Sequence, residues 1–214
     1  MSNFPTVMNT ETLAGALANS QVAESNTSAG MSFLKMDFES GDWFLGRDAE
    51  DVTGEAVLVN TESIGHGWIL WSGGRPAKKM VSFTEALPMQ MDSVGADTPA
   101  EARTFAGALF DDQTPLVFDT NSVGGRKGVD TLLGQIKAHA STGSSYLYPL
   151  VKLSSESYAN KQRGGKLVFN PVFEIEGWCN KDGNLEGGET DAIAPPEGDA
   201  APEQIKTQRR KRGA

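Results

Sequence analysis

The residues best suited to chemistry are basic and aromatic side chains gathered around residues 121–170. This block holds seven lysine or arginine residues and two acidic ones, a charge of +5 within a chain of net charge −9. Such segregation produces a positive surface on an otherwise acidic protein. The basic residues are Arg126, Lys127, Lys137, Lys152, Lys161, Arg163 and Lys166. The aromatic residues in or beside the block are Tyr146, Tyr148, Tyr158, Phe169 and Phe173.

Cations beside aromatic rings on strands are typical of a groove that binds single-stranded nucleic acid. Bases stack on exposed rings at roughly 1–3 kcal/mol each, while cations follow the phosphates. The residues expected to contact phosphates are Lys152, Lys161, Arg163, Lys166, Arg126 and Lys127. The rings expected to stack on bases are Tyr158, Tyr148 and Trp71. A second basic cluster follows Trp71 and consists of Arg75, Lys78 and Lys79. The rings expected in the core are Phe169, Phe173 and Trp178.

A glycine-rich segment, residues 121–128, precedes the predicted helix. Its sequence, Asn-Ser-Val-Gly-Gly-Arg-Lys-Gly, can present backbone amides and two cations to a phosphate. It has neither the spacing of a Walker loop nor that of a dinucleotide-binding fingerprint. Two interpretations stay open, an anion-binding loop and an ordinary turn that leads into the helix.

Residues typical of enzyme active sites are sparse. The chain has two histidines, His66 and His139, and one cysteine, Cys179, which excludes an internal disulfide framework and a cysteine-rich zinc site. No G-x-S-x-G motif supplies a nucleophile to work with His66. The carboxylates do not form the paired setting that a nuclease needs. The sequence therefore predicts a noncatalytic protein without a metal or a cofactor.

Seven or eight short strands and one helix are predicted to position these side chains. Residues 33–38 alternate with the period of two that is typical of a half-buried strand. The strands are predicted at residues 33–38, 43–45, 56–60, 67–71, 81–83, 116–118, 146–153 and 166–178. Loops are predicted at residues 72–76 and, as a polar basic connection, at 154–165. Apolar residues at helical spacing predict a helix over residues 129–140.

This count of elements predicts a mostly β (α+β) fold with one main helix. An OB-like barrel or a strongly curved antiparallel sheet accommodates the strands, and a β-sandwich fits almost as well.

Composition divides the chain into an ordered middle and two loose ends. Hydrophobic residues make up 38%, which is below the usual share, while glycine (24) and proline (10) are plentiful. We expect a flexible N-terminal arm at residues 1–30, a β-rich core domain at 31–179 and a disordered acidic tail with a basic tip at 180–214. Because no apolar run could span a membrane and no secretion signal is evident, a cytoplasmic protein is predicted.

Several segments carry a family resemblance. They are SVGGRKGVDTLLGQI at 122–136, YPLVKLSSESY at 148–158, GKLVFNPVFEIEGW at 165–178, FLKM at 33–36 and IGHGWI at 64–69. Together they resemble a family of tailed-bacteriophage early-region proteins over residues 31–178. The layout, a β-barrel core followed by an acidic tail, is similar to that of phage single-stranded-DNA-binding proteins. The basic tip departs from that pattern, in which the tail ends in acidic or aromatic residues.

The resemblance implies a role in DNA replication or recombination in the cytoplasm of an infected bacterium. It also implies that the acidic tail contacts replication or recombination proteins, and a homo-oligomer is possible. We therefore expect a single-stranded-DNA-binding protein with low sequence preference. Two alternatives stay open: a noncatalytic protein-interaction factor, of the host-takeover or accessory kind, and a structural component of the virion.

Overall fold

The computed structural model describes residues 30–73, 75–161 and 164–187, and of Arg75 the backbone only. The predicted N-terminal arm up to residue 29 and the predicted tail from residue 188 lie outside these ranges. The described residues form a mostly β structure with one main helix, which confirms the predicted fold class at that level.

The described residues contain ten strands and two helical segments. The strands are β1 (Ser32–Met36), β2 (Trp43–Leu45), β3 (Glu50–Asp51), β4 (Ala56–Val59), β5 (Gly65–Ser72), β6 (Arg75–Ser82), β7 (Ala100–Leu109), β8 (Pro115–Thr120), β9 (Tyr148–Asn160) and β10 (Lys166–Cys179). A short 3-10 helix, η1 (Thr61–Ser63), follows β4, and the main helix is α1 (Val123–Ala140).

Hydrogen bonds join these strands into one sheet rather than the two layers of a sandwich. The order is β10-β9-β4-β7-β8-β1-β2-β3. Strands β5 and β4 pair with successive halves of β7, and β6 pairs with β5. The expected antiparallel pairing holds except between β1 and β8, which run parallel, so the sheet is mixed.

The sheet curls until its two ends meet. The Trp43 indole Nε1 on β2 donates to the carbonyl of Ser154 on β9, at 3.0 Å, although these strands lie far apart in the sheet order. The Phe169 amide on β10 donates to the Phe38 carbonyl at 2.9 Å. No strand pair joins the two ends within the described residues, so the sheet is curled but not closed.

The core lies between the inner face of the curled sheet and α1. Four aromatic rings, at 5.3 to 5.6 Å between the centroids of contacting pairs, fill its centre. They belong to Trp43, Phe105, Phe118 and Phe173. The helix contributes Val129, Leu132 and Ile136 to the same cluster. Phe173 is therefore buried as predicted, while Phe169 and Trp178 are half-buried.

Helix α1 begins at Val123, earlier than residue 129, because the glycine segment is helical. The Ser122 hydroxyl caps it by accepting a hydrogen bond from the Gly125 amide at 3.0 Å. A Cβ on Gly124 would come within 2.0 Å of the Asn170 amide oxygen, and one on Gly128 within 2.7 Å of the Pro171 carbonyl. The glycines therefore let the helix lie against β10, and the segment forms the first turns of α1 rather than a separate loop.

Three segments differ from the predicted elements. Strand β7 occupies the middle of the sheet, although no strand was predicted at residues 100–109. Strand β6 extends from Arg75 to Ser82, through part of the predicted loop at 72–76. Strand β9 continues to Asn160, where a connection was predicted from residue 154 onward.

The first residues of the predicted acidic tail pack on the core. The Glu186 amide donates to the Trp178 carbonyl at 2.7 Å, and the Asn180 amide to the Asn184 carbonyl at 2.9 Å. Leu185 packs against a small cluster around Cys179 on the outer face of the sheet. Residues 180–187, which follow the predicted boundary at residue 179, therefore contact the end of β10.

Candidate nucleic-acid interface

Strands β9 and β10 extend beyond the rest of the sheet as a two-stranded ribbon, residues 154–172. Strand β4 pairs with β9 only at residues 150–152, and past that point β9 and β10 pair with each other as far as Asn160 and Lys166. Part of the tip, residues 162–163, lies outside the described ranges. Predicted site residue Arg163 is one of these two.

The tip of the ribbon combines exposed apolar and basic side chains. Tyr158 is 44% exposed and Leu167 is 60% exposed. Lys161 and Lys166 are exposed within a few residues of them, and Glu156 is the one acidic residue of the ribbon. Because Tyr158 pairs with Val168, the Tyr158 ring and Lys166 lie on one face of the ribbon and Leu167 lies on the other. The Tyr158 face offers a ring and a cation, the two groups that single-stranded nucleic acid needs.

The base of the ribbon is covered by the β1–β2 loop. Gly41 adopts a φ of +84°, and a Cβ there would come within 2.6 Å of both the Phe169 ring and the Ser155 hydroxyl. A glycine is required at this position for both reasons. The loop thus fixes the ribbon at Phe169 and leaves its tip uncovered.

A groove, here called the Trp71 groove, lies on the outer face of the sheet. Lys78 on β6 forms an ion pair with Asp119 on β8, although β5 and β7 lie between these strands. The β5–β6 hairpin must therefore curl over this face. Gly67 allows the curl, since a Cβ there would come within 2.0 Å of the Lys79 carbonyl.

The groove has a volume of about 290 Å³. Its apolar walls come from Phe33, Ile69, Trp71 and Met80. Its polar lining comes from Lys35, Lys78, Asp119, Thr120 and Asn121. The Lys78 ammonium lies 5.8 Å from the centroid of the Phe33 ring, so this cation contacts both a carboxylate and an aromatic face.

Arg126, a predicted phosphate contact, is instead engaged in a network of charged side chains. Its Nη1 donates to Glu101 at 2.6 Å, and Glu101 also accepts from Arg103 Nη1 at 2.8 Å. Arg103 in turn donates to Asp130 at 2.7 Å. The hydrogen bond from Arg103 lowers the pKa of Glu101, and the charge of Arg126 adds to the effect. Lys127, next in sequence, is exposed.

Three further predicted site residues lie away from the ribbon tip. The Tyr148 hydroxyl donates to Glu62 at 3.1 Å, and burial followed by the charge of Glu62 raises its pKa to about 12. Lys152 is half-buried and pairs in register with Glu174. The Lys79 ammonium donates to the carbonyl of Met89 at 3.1 Å.

The structure thus divides the predicted site residues into groups. The ribbon holds Tyr158, Lys161 and Lys166, and the groove holds Trp71 and Lys78. Arg75 pairs with Ser72 at the turn beside Trp71, and only its backbone is described. Lys127 lies on the first turns of α1.

Sequence reasoning missed several residues of these two surfaces. They are Phe33, Lys35, Met80, Asn121 and Leu167. The period-two alternation of β1 does place Phe33 and Lys35 on one face of a strand. These two residues face a groove only because the distant β5–β6 hairpin curls over them. The alternation within β1 does not predict that curl.

Other potential centres of chemistry are used structurally. The His66 ring Nε2 lies 2.9 Å from the Glu85 carbonyl, and the His139 ring stacks on Trp178 with 3.9 Å between centroids. Burial raises the pKa of the Cys179 thiol to about 11. Residues 30–73, 75–161 and 164–187 contain no group of three or more His, Cys, Asp or Glu placed to hold a metal ion. Among those residues no helix is long and apolar enough to cross a membrane.

Comparison with family models, with curated proteins and with solved structures gave no match to this chain.

Proposed function

We propose that this protein binds single-stranded DNA with low sequence preference and catalyses no reaction. The observation that carries the proposal is the ribbon tip, where the exposed Tyr158 ring and Lys166 share one face and the exposed Lys161 comes two residues after Ala159 of β9. An exposed ring stacks on any base, and a lysine ammonium is a point charge without the forked geometry that reads a base edge. Both features favour binding to the strand rather than to its sequence.

Within this proposal the phosphate contacts come from Lys161, Arg163, Lys166 and Lys127. Arg126 is left out because Glu101 already pairs with its guanidinium. Tyr148, predicted to stack on bases, is left out because its ring packs against the cluster around Cys179. The curled sheet is proposed to be an OB-like barrel that stays open on one side. The Phe169–Phe38 hydrogen bond, which brings the two sheet ends together, supports this. OB folds bind oligonucleotides on a strand face and its neighbouring loops.

The biological setting of the proposal rests on the family resemblance. It is replication or recombination of phage DNA in the bacterial cytoplasm, with the acidic part of the tail contacting other replication proteins. The acidic residues of that tail lie between Asp182 and Glu203, outside the basic block of residues 121–170.

The test is fluorescence anisotropy of a labelled oligo-dT of about 30 nucleotides, titrated with the full chain across a salt series. The wild type is expected to bind with an affinity that falls steeply with salt. Lys161→Glu combined with Lys166→Glu should weaken binding by roughly tenfold or more and reduce the salt slope by about 1.4, since each phosphate contact contributes about 0.7.

The matched control is Lys137→Glu combined with Lys181→Glu. Both lysines are exposed, and this pair changes the net charge of the chain by the same amount. It should bind like the wild type. If both double variants lose affinity equally, the ribbon is not the binding surface. If the wild type fails to bind at low salt, the proposed function is wrong.

A specific observation favours a second candidate function, protein interaction. The segment between β6 and β7 exposes Leu87 (43%), Met89 (83%) and Val94 (53%). The side chains of His66, Trp68 and Lys79 hold this segment through its backbone carbonyls. An exposed apolar patch of this kind marks interaction sites. Leu87→Glu combined with Met89→Glu should then abolish binding to a protein partner while oligo-dT affinity stays at the wild-type value.

A further inference from the structure

We propose that the Trp71 groove binds one nucleotide of the DNA strand, with the base against the Trp71 ring and its phosphate at Lys35. This inference rests on the proposed function and adds to it a second contact site away from the ribbon tip. It assigns the groove a planar aromatic ligand that carries negative charge.

The exposure of Trp71 is the first reason. Trp43 and Trp68 donate their indole N–H groups to carbonyls, and Trp178 stacks on His139. Trp71 is 56% exposed. Its ring forms one wall of the groove while much of its surface is open to solvent. A base that stacks on this ring would cover the apolar surface that folding leaves uncovered.

The charges of the groove are the second reason. Lys78 is neutralised by Asp119 and held near the Phe33 ring, so it serves as part of the wall. Lys35 is exposed, and it forms no ion pair within the described part of the chain. The groove therefore holds one cation that is available to a phosphate.

The size and lining of the groove are the third reason. About 290 Å³ is at the lower limit of small-ligand sites, so the groove is suited to a single nucleotide rather than to a folded segment. Thr120 and Asn121 add side-chain donors and acceptors to the otherwise apolar walls. The Thr120 hydroxyl already bonds to Ser122, so the exposed Asn121 amide is the polar group that is open to a ligand.

The groove and the ribbon are also neighbours along the surface. Asn121 lines the groove, and Gly124 packs against Asn170 at the base of the ribbon. The exposed Lys127 follows on the next turn of α1. One strand can therefore contact the groove, the start of α1 and the ribbon in succession.

The test is photocrosslinking of the full chain to an oligo-dT that carries single 5-iododeoxyuridines, followed by mass mapping of the crosslinked peptide. The expected adduct lies on Trp71 or Phe33, in addition to any on Tyr158. In the anisotropy titration, Trp71→Ala should weaken binding by about five- to a hundredfold. Trp71→Phe, which keeps a ring, should recover most of this loss, and Lys35→Glu should reduce the salt slope.

The outcomes separate this inference from the proposed function. If oligo-dT binds and crosslinks only to the ribbon, and Trp71→Ala binds like the wild type, the groove inference is overturned while the function stands. If the wild type does not bind oligo-dT, both are overturned. If thermal unfolding of Trp71→Ala differs from that of the wild type, Trp71→Phe and Lys35→Glu replace it. A crosslink yield at Phe33 that is kept in Trp71→Phe and falls in Lys35→Glu supports the inference, and equal yields in Lys35→Glu and the wild type overturn it.

Discussion

Arg126 on helix α1 donates from Nη1 to the Glu101 carboxylate on strand β7, at 2.6 Å. The two side chains are 26% and 31% exposed, so solvent screens the pair only in part. Because Glu101 also accepts from Arg103, one carboxylate connects the start of the helix to the centre of the sheet. The arginine that looks like a phosphate ligand in sequence is thus a structural link.

Removing this carboxylate should weaken the protein at neutral pH and change its acid unfolding. The pKa of Glu101 is lowered in the folded state, chiefly by the Arg103 hydrogen bond, so its contribution is present above the ordinary pKa and is lost as pH falls through the folded value. Glu101→Gln should lower the free energy of unfolding at neutral pH by about 1 kcal/mol and flatten its decline in acid.

Urea unfolding at a series of pH values measures this effect. Glu156→Gln, at an exposed position on the ribbon, is the control. It should leave unchanged the acid limb, which is the decline in the free energy of unfolding as pH falls. Parallel acid limbs for Glu101→Gln and the wild type would show that the carboxylate does not support the folded state.

Two glycines of α1 should respond in opposite directions to alanine. Gly134 has open space around the position of a Cβ, so Gly134→Ala should raise the free energy of unfolding by up to about 1 kcal/mol through helix propensity. A Cβ on Gly128 would lie 2.7 Å from the Pro171 carbonyl oxygen. Gly128→Ala should therefore lower the free energy of unfolding by about 1–3 kcal/mol. Chemical denaturation of both variants checks the pair, and equal stabilisation would mean that α1 does not lie against β10.

The hydrogen bond between Trp43 and Ser154 should hold the curl of the sheet. Trp43 is fully buried, so Trp43→Phe leaves the Ser154 carbonyl without this donor and should cost about 1–3 kcal/mol of stability. Amide hydrogen exchange at Phe169, whose N–H bonds to Phe38, should accelerate in the variant.

Trp68→Phe is the comparison, since Trp68 also donates to a carbonyl but is only half-buried. Trp68→Phe should lower the free energy of unfolding by less than Trp43→Phe does, and it should leave amide exchange at Phe169 unchanged. Unaltered exchange at Phe169 in Trp43→Phe would mean that other contacts set the curl.

The thiol of Cys179 should not react in the folded protein. Because it ionises more readily in the unfolded chain, it should also lower the stability of the protein at alkaline pH. Burial raises its pKa to about 11, so the folded protein resists ionisation that the unfolded chain undergoes from about pH 9. Since the unfolded state then binds fewer protons, stability falls as pH rises between these values, by on the order of 2 kcal/mol.

A disulfide reagent at pH 8 measures the first effect, and it should react only on addition of denaturant. Cys179→Ala should reduce the loss of stability at alkaline pH. The loss that remains includes the contribution of Tyr148, whose pKa is also raised. Rapid reaction of the thiol in native buffer would show that the segment around Leu185 does not cover it.

The sequence predicts the elements whose side chains alternate or recur strongly. The alternation at residues 33–38 corresponds to β1, and the apolar spacing of Val129, Leu132 and Ile136 corresponds to the buried face of α1. These patterns are local, since each arises from one face of one element. The polar and basic residues that follow Tyr158 indicate an exposed ring, although residues 154–165 are predicted as a connection and Tyr158 lies on β9.

Strand β7 has no such pattern, because four of its ten residues are alanine and it lies between partners on both sides. Its tertiary surroundings override its weak strand propensity. The glycines at the start of α1 disfavour a helix locally, yet contacts with Asn170 and Pro171 require them there. The Trp71 groove likewise depends on β6 meeting β8, a contact between residues far apart in sequence.

The parallel pairing of β1 with β8 has a consequence for the order of folding. Ser32 pairs with Leu116, and the intervening chain forms six other strands, whereas β9 and β10 are joined by one short turn. Closing the longer loop loses more chain entropy, so we expect the β9–β10 hairpin to form early and β1 to dock late. Pulsed hydrogen exchange during refolding should protect the amides of β9 before those of β1, and the reverse order would refute this. During synthesis β1 can pair with β2 as soon as both have emerged, but its parallel pairing with β8 must wait until β3 to β7 have been synthesised.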